Sequence, residues 1–264
     1  MLIVGEKLNS TIPSVREAIK TRNVEFVQDL ARRQVAGGAS YLDLNTAQGN
    51  NELDDMEWAV KVLQEVVDVP LCIDATDPEV IRAGLKLHRG KAMLNSISME
   101  TSRLNGMLPL ISEFSCAVVG LTLNDSGIPK TAEERIAIAG QLVDELRRAK
   151  VNIEEDVYID PLVLPLAVNS ENGVIFFRCL EEIKKVYNVK TISGLSNVSH
   201  DLPKRKIINR YFLTACMVNG MDAAIMDPTD CKLTTAITAA NLLLGKDRFA
   251  RGYIKAFRGE ALEE

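Results

Sequence analysis

The stretch LCIDATDPEVIRAGLKL, residues 71–87, decides the fold. Its first four residues are an apolar run without polar alternation, the signature of a strand covered on both faces, as in a parallel sheet. Asp77 then offers a cap and Pro78 a first helical position, and the following residues carry helical spacing up to Leu87. One unit of strand, turn and helix is therefore written in seventeen residues. The strand closes on a carboxylate, Asp74, which is not needed as the cap because Asp77 is better placed.

The same unit recurs outward from this point. Short apolar runs occupy 2–5, 41–45, 92–95, 117–123, 157–160, 191–195 and 221–226, making eight with 71–74. Helical spacing fills 24–37, 56–67, 78–87, 101–114, 131–150, 174–187, 206–219 and 231–244. Gly37-Gly38 stops the first of these. Thr131 and Glu134 have the spacing of a capping box. Eight strands alternating with eight helices is the pattern of an α/β fold of the (β/α)8 TIM-barrel kind, and 264 residues suit one such domain spanning 1–264. A doubly wound open sheet is the rival. The tail from 246 reads as a final helix with a charged end.

Composition narrows the function classes. Lys plus Arg number 31 and Asp plus Glu 36, a net charge of −5 with no basic block, so nucleic acid is not an expected partner. The longest stretch free of these four residues is 13 long, 233–245, against the roughly 20 apolar residues of a membrane span. The N-terminus lacks the layout of a secretory signal. Five cysteines without a CxxC pair suit free thiols in the cytoplasm rather than disulfides or zinc. Neither GxGxxG nor GxxxxGK[ST] occurs, so dinucleotide and P-loop chemistry lack their fingerprints. Of the two histidines, His88 reads as a solvated helix end, and His200 as a loop residue near the mouth of the site.

Each apolar run ends in polar residues: Glu6 with Asn9 beyond, Asp43 and Asn45, Asp74, Asn95-Ser96, Asn124-Asp125, Asp160, Ser196-Asn197 and Asp227. In a barrel these ends meet at one rim, where active sites lie. Asp and Asn also follow strands as caps and turn formers. Capping does not account for Asp74, or for Asp160, which is followed by Pro161 and Pro165. A ring of carboxylates and amides with few cations suits a planar heterocycle carrying several N–H donors and a few acceptors, since a carboxylate accepts two parallel N–H bonds from an aminopyrimidinone edge. A pterin fits that description. No spacing demands a metal.

At these residues the chain resembles the methyltetrahydrofolate:corrinoid protein methyltransferases of the pterin-binding barrel superfamily, such as the enzymes serving the corrinoid/iron–sulfur protein of acetogens and the second methyltransferases of O-demethylase systems. The segments carrying the likeness include LIVGEKLN (2–9), LCIDAT (71–76), AMLNS (92–96), VYIDPLVLP (157–165), GLSNVS (194–199) and IINRYFLTACMVNGMDAAIMDP (207–228). The resemblance implies that Asp74, Asn95 and Asp160 hold the pterin ring. It implies that Gly194 and Ser196 line the pocket, that Asn197 is the catalytic amide near N5, and that Arg205 stands at the mouth. Glu6, Asn9, Asp43, Asn45, His200 and Asp227 fall to the rim or the corrinoid side.

The substrates so implied are tetrahydrofolate and methyltetrahydrofolate. Cobalamin arrives on a corrinoid-binding partner protein, because the chain has no D-x-H-x-x-G motif of its own. A homodimer is implied by the family. Two departures stand out. Lys7 replaces the family's Arg after Gly-Glu, and 200–204 reads HDLPK where the acetogen enzymes are rich in amides. A dihydropteroate-synthase-like condensing enzyme is an alternative, opposed by SNVS where that family has a Lys/Arg signature. A folate carrier without catalysis is another.

Overall fold

The computed structural model describes residues 1–263. Its strands are β1 (Leu2–Asn9), β2 (Tyr41–Asn45), β3 (Leu71–Asp74), β4 (Met93–Met99), β5 (Ala117–Asn124), β6 (Val157–Asp160), β7 (Lys190–Thr191) and β8 (Ala223–Met226). The helices are α1 (Pro13–Lys20), α2 (Val24–Ala36), α3 (Glu52–Leu63), α4 (Pro78–Leu87), α5 (Thr101–Phe114), α6 (Ala132–Arg148), α7 (Ile153–Asp156), α8 (Asn172–Tyr187), α9 (Arg205–Val218), α10 (Cys231–Leu243) and α11 (Arg251–Arg258). The strands are parallel and ordered β7-β6-β5-β4-β3-β2-β1-β8. A bridge between Gly194 and Ile225 closes the ring from β7 to β8. Adjacent order with closure makes this a barrel and excludes the open doubly wound sheet.

The expected caps form as read. Asp77 accepts from the Glu79 N–H, and Thr131 with Glu134 completes the capping box on α6. Several boundaries differ. Strand β1 runs past Gly5 to Asn9 and β4 past Asn95 to Met99, so Glu6 and Asn95 sit within strands rather than at their ends. The run 191–195 supplies only the last residue of a two-residue strand; Leu195–Ser199 turns instead into a short 3₁₀ helix. Helix α1, opened by Pro13 at its first turn, is an addition to the expected eight. His88 is not a solvated helix end: its Nε2 accepts the Leu71 N–H at 3.0 Å, and burial lowers its pKa.

Strand parity divides the core. Leu42, Leu44, Leu71, Ile73, Leu94, Val118, Val157 and Ile159 pack outward against the helices. Val4, Cys72, Met93, Ala117, Val119, Tyr158, Ile192 and Ala223 fill the barrel interior, with Leu2, Tyr41, Leu121 and Ile225 against them. Side chains alternate along a strand, so residues two beyond this interior layer also point inward. On six strands those residues are polar: Glu6 comes two after Val4, Asp43 after Tyr41, Asp74 after Cys72, Asn95 after Met93, Asp160 after Tyr158 and Asp227 after Ile225, while β5 carries Leu121 at the level of Asp160. The barrel floor is thus apolar and the layer above it polar.

Candidate functional site

Register assembles the polar layer. Across β2, β3 and β4 the ladder pairs Asn45 with Asp74 and Asp74 with Asn95, and Asn9 of β1 stands beside Asn45. The side chains bond along the row. The Asn45 amide donates to Asp74 at 3.0 Å, and the Asn95 amide donates to Asp43 at 3.1 Å. These bonds fix the orientation of both amides.

Burial sets the electrostatics. Asp43 is buried, and loss of water followed by the nearby Asp74 charge pushes its carboxyl well up. Asp74 is also raised by burial, against the pull of its Asn45 bond and the Arg103 guanidinium. Asp160 is buried and raised to about 6, with the N–H groups of Leu162 and Gly194 opposing the shift; the Leu162 bond is 2.7 Å long. The Leu162 bond turns the chain at the Pro161 step, so Asp160 has a local backbone partner although it caps no helix.

Glu6 owes its place to a bulge. The register of β1 against β2 shifts between Gly5 and Leu8. The freed Lys7 N–H is caught by Gln34 Oε1 of α2 at 2.9 Å. Gly5 is required here, because a Cβ would lie 2.6 Å from that same oxygen. Glu6 then reaches the Ser196 hydroxyl, which donates to Oε2 at 3.3 Å. Burial raises Glu6 to about 7, offset by Lys7 and reinforced by Asp227. Lys7 pairs with Asp227 at 3.1 Å.

The 195–199 turn faces this carboxylate. The Ser196 carbonyl accepts from Arg205 Nη2 at 2.7 Å and from the Ser199 hydroxyl at 3.2 Å, and Arg205 Nε donates to Ser199 Oγ at 3.0 Å. Arg205 therefore braces the turn from the start of α9. Asn197 and His200 are exposed, while Gly194 and Ser196 are half-buried. Of the remaining rim residues, Asn9 accepts the Thr11 N–H and hydroxyl, and Asp227 accepts those of Thr229, so both close turns.

Two arginines were not anticipated. Arg103 of α5 donates to the Ser96 and Ala75 carbonyls at 2.9 and 3.1 Å, tying the end of β3 to the middle of β4 beside Asp74. Arg135 of α6 is only 1% exposed and donates to the carbonyls of Pro129, Pro161 and Leu162, clamping the loop that carries Asp160. Among the described residues, no group of three His, Cys, Asp or Glu side chains is placed to hold a metal ion, and no helix is long and apolar enough to cross a membrane.

What this layer offers is a row of buried acceptors interleaved with oriented amides, roofed on one side by a polar turn. The chain is similar to known proteins over most of its length. Residues 5–227 match the family model described as pterin binding enzyme. The chain is 37% identical over 262 residues to the methylcorrinoid:tetrahydrofolate methyltransferase of Eubacterium limosum, covering 98% of this chain and 96% of that protein. It is 31% identical over 240 residues to the methionine synthase of Mycobacterium leprae (strain TN), covering 86% of this chain and 20% of that much longer protein. Among solved structures, the dihydropteroate synthase of Xanthomonas albilineans in complex with 7,8-dihydropteroate superimposes with a TM-score of 0.69, 17% identity and 92% of each chain covered. The dihydropteroate synthase of Thermus thermophilus does so with a TM-score of 0.65, 20% identity and 92% and 93% covered. At these identities the two synthases bear on the fold alone.

Proposed function

Because the chain belongs to the pterin binding enzyme family, we propose that it is a methyltransferase moving a methyl group between N5 of tetrahydrofolate and the cobalt of a corrinoid carried by a partner protein. The observation that carries this reading is the polar layer above the apolar barrel floor, in register across β2, β3 and β4. Asp74, Asn95 and Asp160 take the aminopyrimidinone edge and neighbouring ring nitrogens of the pterin. Asp43 and Asn45 hold Asn95 and Asp74 in orientation. Gly194 and Ser196 border the pocket, and Arg205 stiffens the turn at its mouth.

The chemistry follows from the leaving group. A tertiary amine nitrogen such as N5 leaves poorly unless it is hydrogen-bonded or protonated as the methyl departs. Asn197 sits on the exposed turn, where its amide can donate to N5, a contact that strengthens as charge shifts in the transition state. In the opposite direction N5 attacks a methyl group on Co(III), and Co(I) leaves. One site serves both directions, since the transition state is shared. The corrinoid is a substrate delivered over the rim by its own protein.

Two finer assignments belong to this reading. Four cysteines are buried and Cys231 is exposed, all as free thiols, which suits the cytoplasm. A homodimer, as the resemblance implies, belongs to this reading too, and Tyr211 of α9, Leu243 of α10 and Phe257 of α11, 70%, 81% and 70% exposed, are apolar surface that a second copy would cover.

The test is spectroscopic. Cobalt absorbance is followed with Co(I) cobalamin and methyltetrahydrofolate, then with methylcobalamin and tetrahydrofolate. Methyl transfer in either mixture is the expected result. Turnover of a pterin pyrophosphate with p-aminobenzoate, or folate binding without any transfer to free or protein-bound corrinoid, would replace this reading with a condensing enzyme or a carrier.

A further inference from the structure

We infer that Glu6 is the proton reservoir of the methyl-transfer reaction, exchanging the N5 proton through the Ser196 hydroxyl. The inference rests on the methyltransferase reading above and assigns a source for the proton which that reading requires and which the Asn197 amide cannot supply.

A reservoir must reach the reacting edge, must be able to hold or release a proton, and must be refilled from solvent. Glu6 meets each condition. Its carboxyl lies on the Ser196 hydroxyl at 3.3 Å, and Ser196 is the residue before Asn197. A hydroxyl both donates and accepts, so it can take a proton from one side while giving one to the other. Glu6 is half-buried at the rim, open to water.

Asp160 fits less well. It is buried at 7% exposure, and its Oδ1 is committed to the Leu162 N–H at 2.7 Å, a donor that cannot be reversed. The hydroxyl beside it, Ser193, is fully buried. Asp74 is held by a side-chain amide, an equally irreversible donor, and Asp43 by an amide and by the Cys72 thiol, which is fully buried and cannot be refilled from solvent. Glu6 is the carboxyl whose hydroxyl partner adjoins Asn197.

The charges facing Glu6 come from every neighbouring element. Lys7 on β1 and Arg205 on α9 favour the carboxylate, while Asp227 after β8 and Asp43 on β2 favour the acid. Burial tips the balance, and the group titrates at about 7. Near neutral pH both forms are present, the condition for a group that serves a reaction in both directions.

When methyltetrahydrofolate is the donor, Co(I) supplies the electron pair of the new Co–CH3 bond and becomes Co(III). The CH3–N5 pair stays on nitrogen, which takes a proton. The Ser196 hydroxyl gives that proton and takes one from the Glu6 acid, leaving the carboxylate. In reverse, N5–H of tetrahydrofolate attacks methyl-Co(III), Co(I) departs, and the N5 proton passes through Ser196 to the Glu6 carboxylate.

Opposite pH dependences follow. Transfer from methyltetrahydrofolate to cob(I)alamin needs the acid, so its kcat falls as pH rises above about 7. Transfer from methylcobalamin to tetrahydrofolate needs the carboxylate, so its kcat falls as pH drops below about 7. The experiment measures kcat and KM in both directions from about pH 5.5 to 8.5 for the full-length wild type, Glu6→Gln and Glu6→Asp. Glu6→Gln is expected to lose both limbs, with kcat roughly tenfold to a hundredfold lower and folate KM within about threefold. Glu6→Asp is expected to keep the limbs at a displaced midpoint, which carries the test should Glu6→Gln fail to fold. Limbs unmoved in either variant, or a loss confined to KM, would overturn the inference while leaving the methyltransferase reading intact. A wild type that transfers no methyl group in any mixture would overturn both.

Discussion

On the β2–β4 side of the rim, the polar side chains are bonded before any ligand arrives. Asn45 holds Asp74, Asn95 holds Asp43, and Arg103 ties β3 to β4 from α5. On the β1 and β7–β8 side, the ladder is bulged or reduced to one bridge, and polar groups ride on a short turn with Asn197 exposed. Both sides carry carboxyls raised by burial, but only on the second does one of them share a hydrogen bond with a hydroxyl next to the exposed Asn197; the thiol that Asp43 meets, Cys72, is sealed in the barrel floor. The contrast separates recognition from reaction. A pterin edge is planar and unchanging, and a fixed row of acceptors matches it at little entropic cost. The reacting nitrogen changes charge and geometry, and a turn adjusts to that more readily than a strand does.

Mutations can break this contrast. The largest effect is expected from Asn197→Ala, on the reacting side: kcat about a hundredfold lower with folate affinity within roughly threefold, read by cobalt spectroscopy and calorimetry. If affinity fell instead, the turn would belong to recognition. Asp160→Asn should do the reverse, weakening folate binding by ~1.5–3 kcal/mol, which is roughly 10- to 150-fold in Kd, with kcat at saturation little changed. Asn45→Ala touches no ligand. By releasing Asp74 from its orienting donor it should cost about 1 kcal/mol, or around fivefold in Kd, again by calorimetry. An unchanged Kd would mean that the row does not depend on its internal bonds.

The smallest effect concerns stability. Glu6, Asp43 and Asp160 have folded pKa values above their unfolded ones. The folded state therefore keeps protons that the unfolded chain has released. Their contribution is full below about pH 4 and is lost as pH rises through the folded values, about 6 for Asp160 and 7 for Glu6. Ligand-free protein should melt about 2–4 °C lower at roughly pH 8 than at roughly pH 5.5. Asp43→Asn, a neutral isostere of the acid, should reduce that drop in a scanning calorimeter.

Much of this was legible in the sequence. The unit at 71–87 is reproduced in β3 and α4, cap included, because its signals are local. The polar ends Glu6, Asp43, Asp74, Asn95, Asp160 and Asp227 share the inward parity of one layer, whereas Asn124 closes a turn and Asp125 holds the start of α5 at Thr101. Boundaries failed where tertiary contacts decide them. Gly5 looked like a strand end, yet it is a point of close approach to Gln34 within a longer strand. The run 191–195 looked like a strand, but Leu195 is buried under a turn, and an apolar residue does not report which backbone buries it.

Arg103 and Arg135 were missed because an arginine on an amphipathic helix reads as a solvated face; their carbonyl partners are gathered partly from nearby backbone, Ser96 and Pro129, and partly from segments 26 to 28 residues away, Ala75, Pro161 and Leu162. Asp55 carried a signal that went unread. It shares a stripe with Ala59 and Val62 on α3, and it is fully buried, bonded to the Asn50 and Asn51 N–H groups and paired with Arg22 at 2.7 Å. Helix α1 was announced by its N1 proline.

The alternation that sets Cys72 below Asp74, with Ile73 on the other face, has a consequence for assembly of the chain. If β3 slid by one residue against β2 or β4, Ile73 would turn into the polar layer and Asp74 would be driven into the apolar seam against α4, where Gly84 leaves no room even for a methyl group beside Ile73. The same penalty applies to β2 at Asp43 and to β6 at Asp160. A misregistered barrel would therefore bury bare carboxylates among leucines and isoleucines, at a cost of several kcal/mol for each strand out of step. The residues that receive the ligand also act as alignment marks during folding, and a substitution that made the layer apolar would remove the penalty that distinguishes the correct pairing from its neighbours.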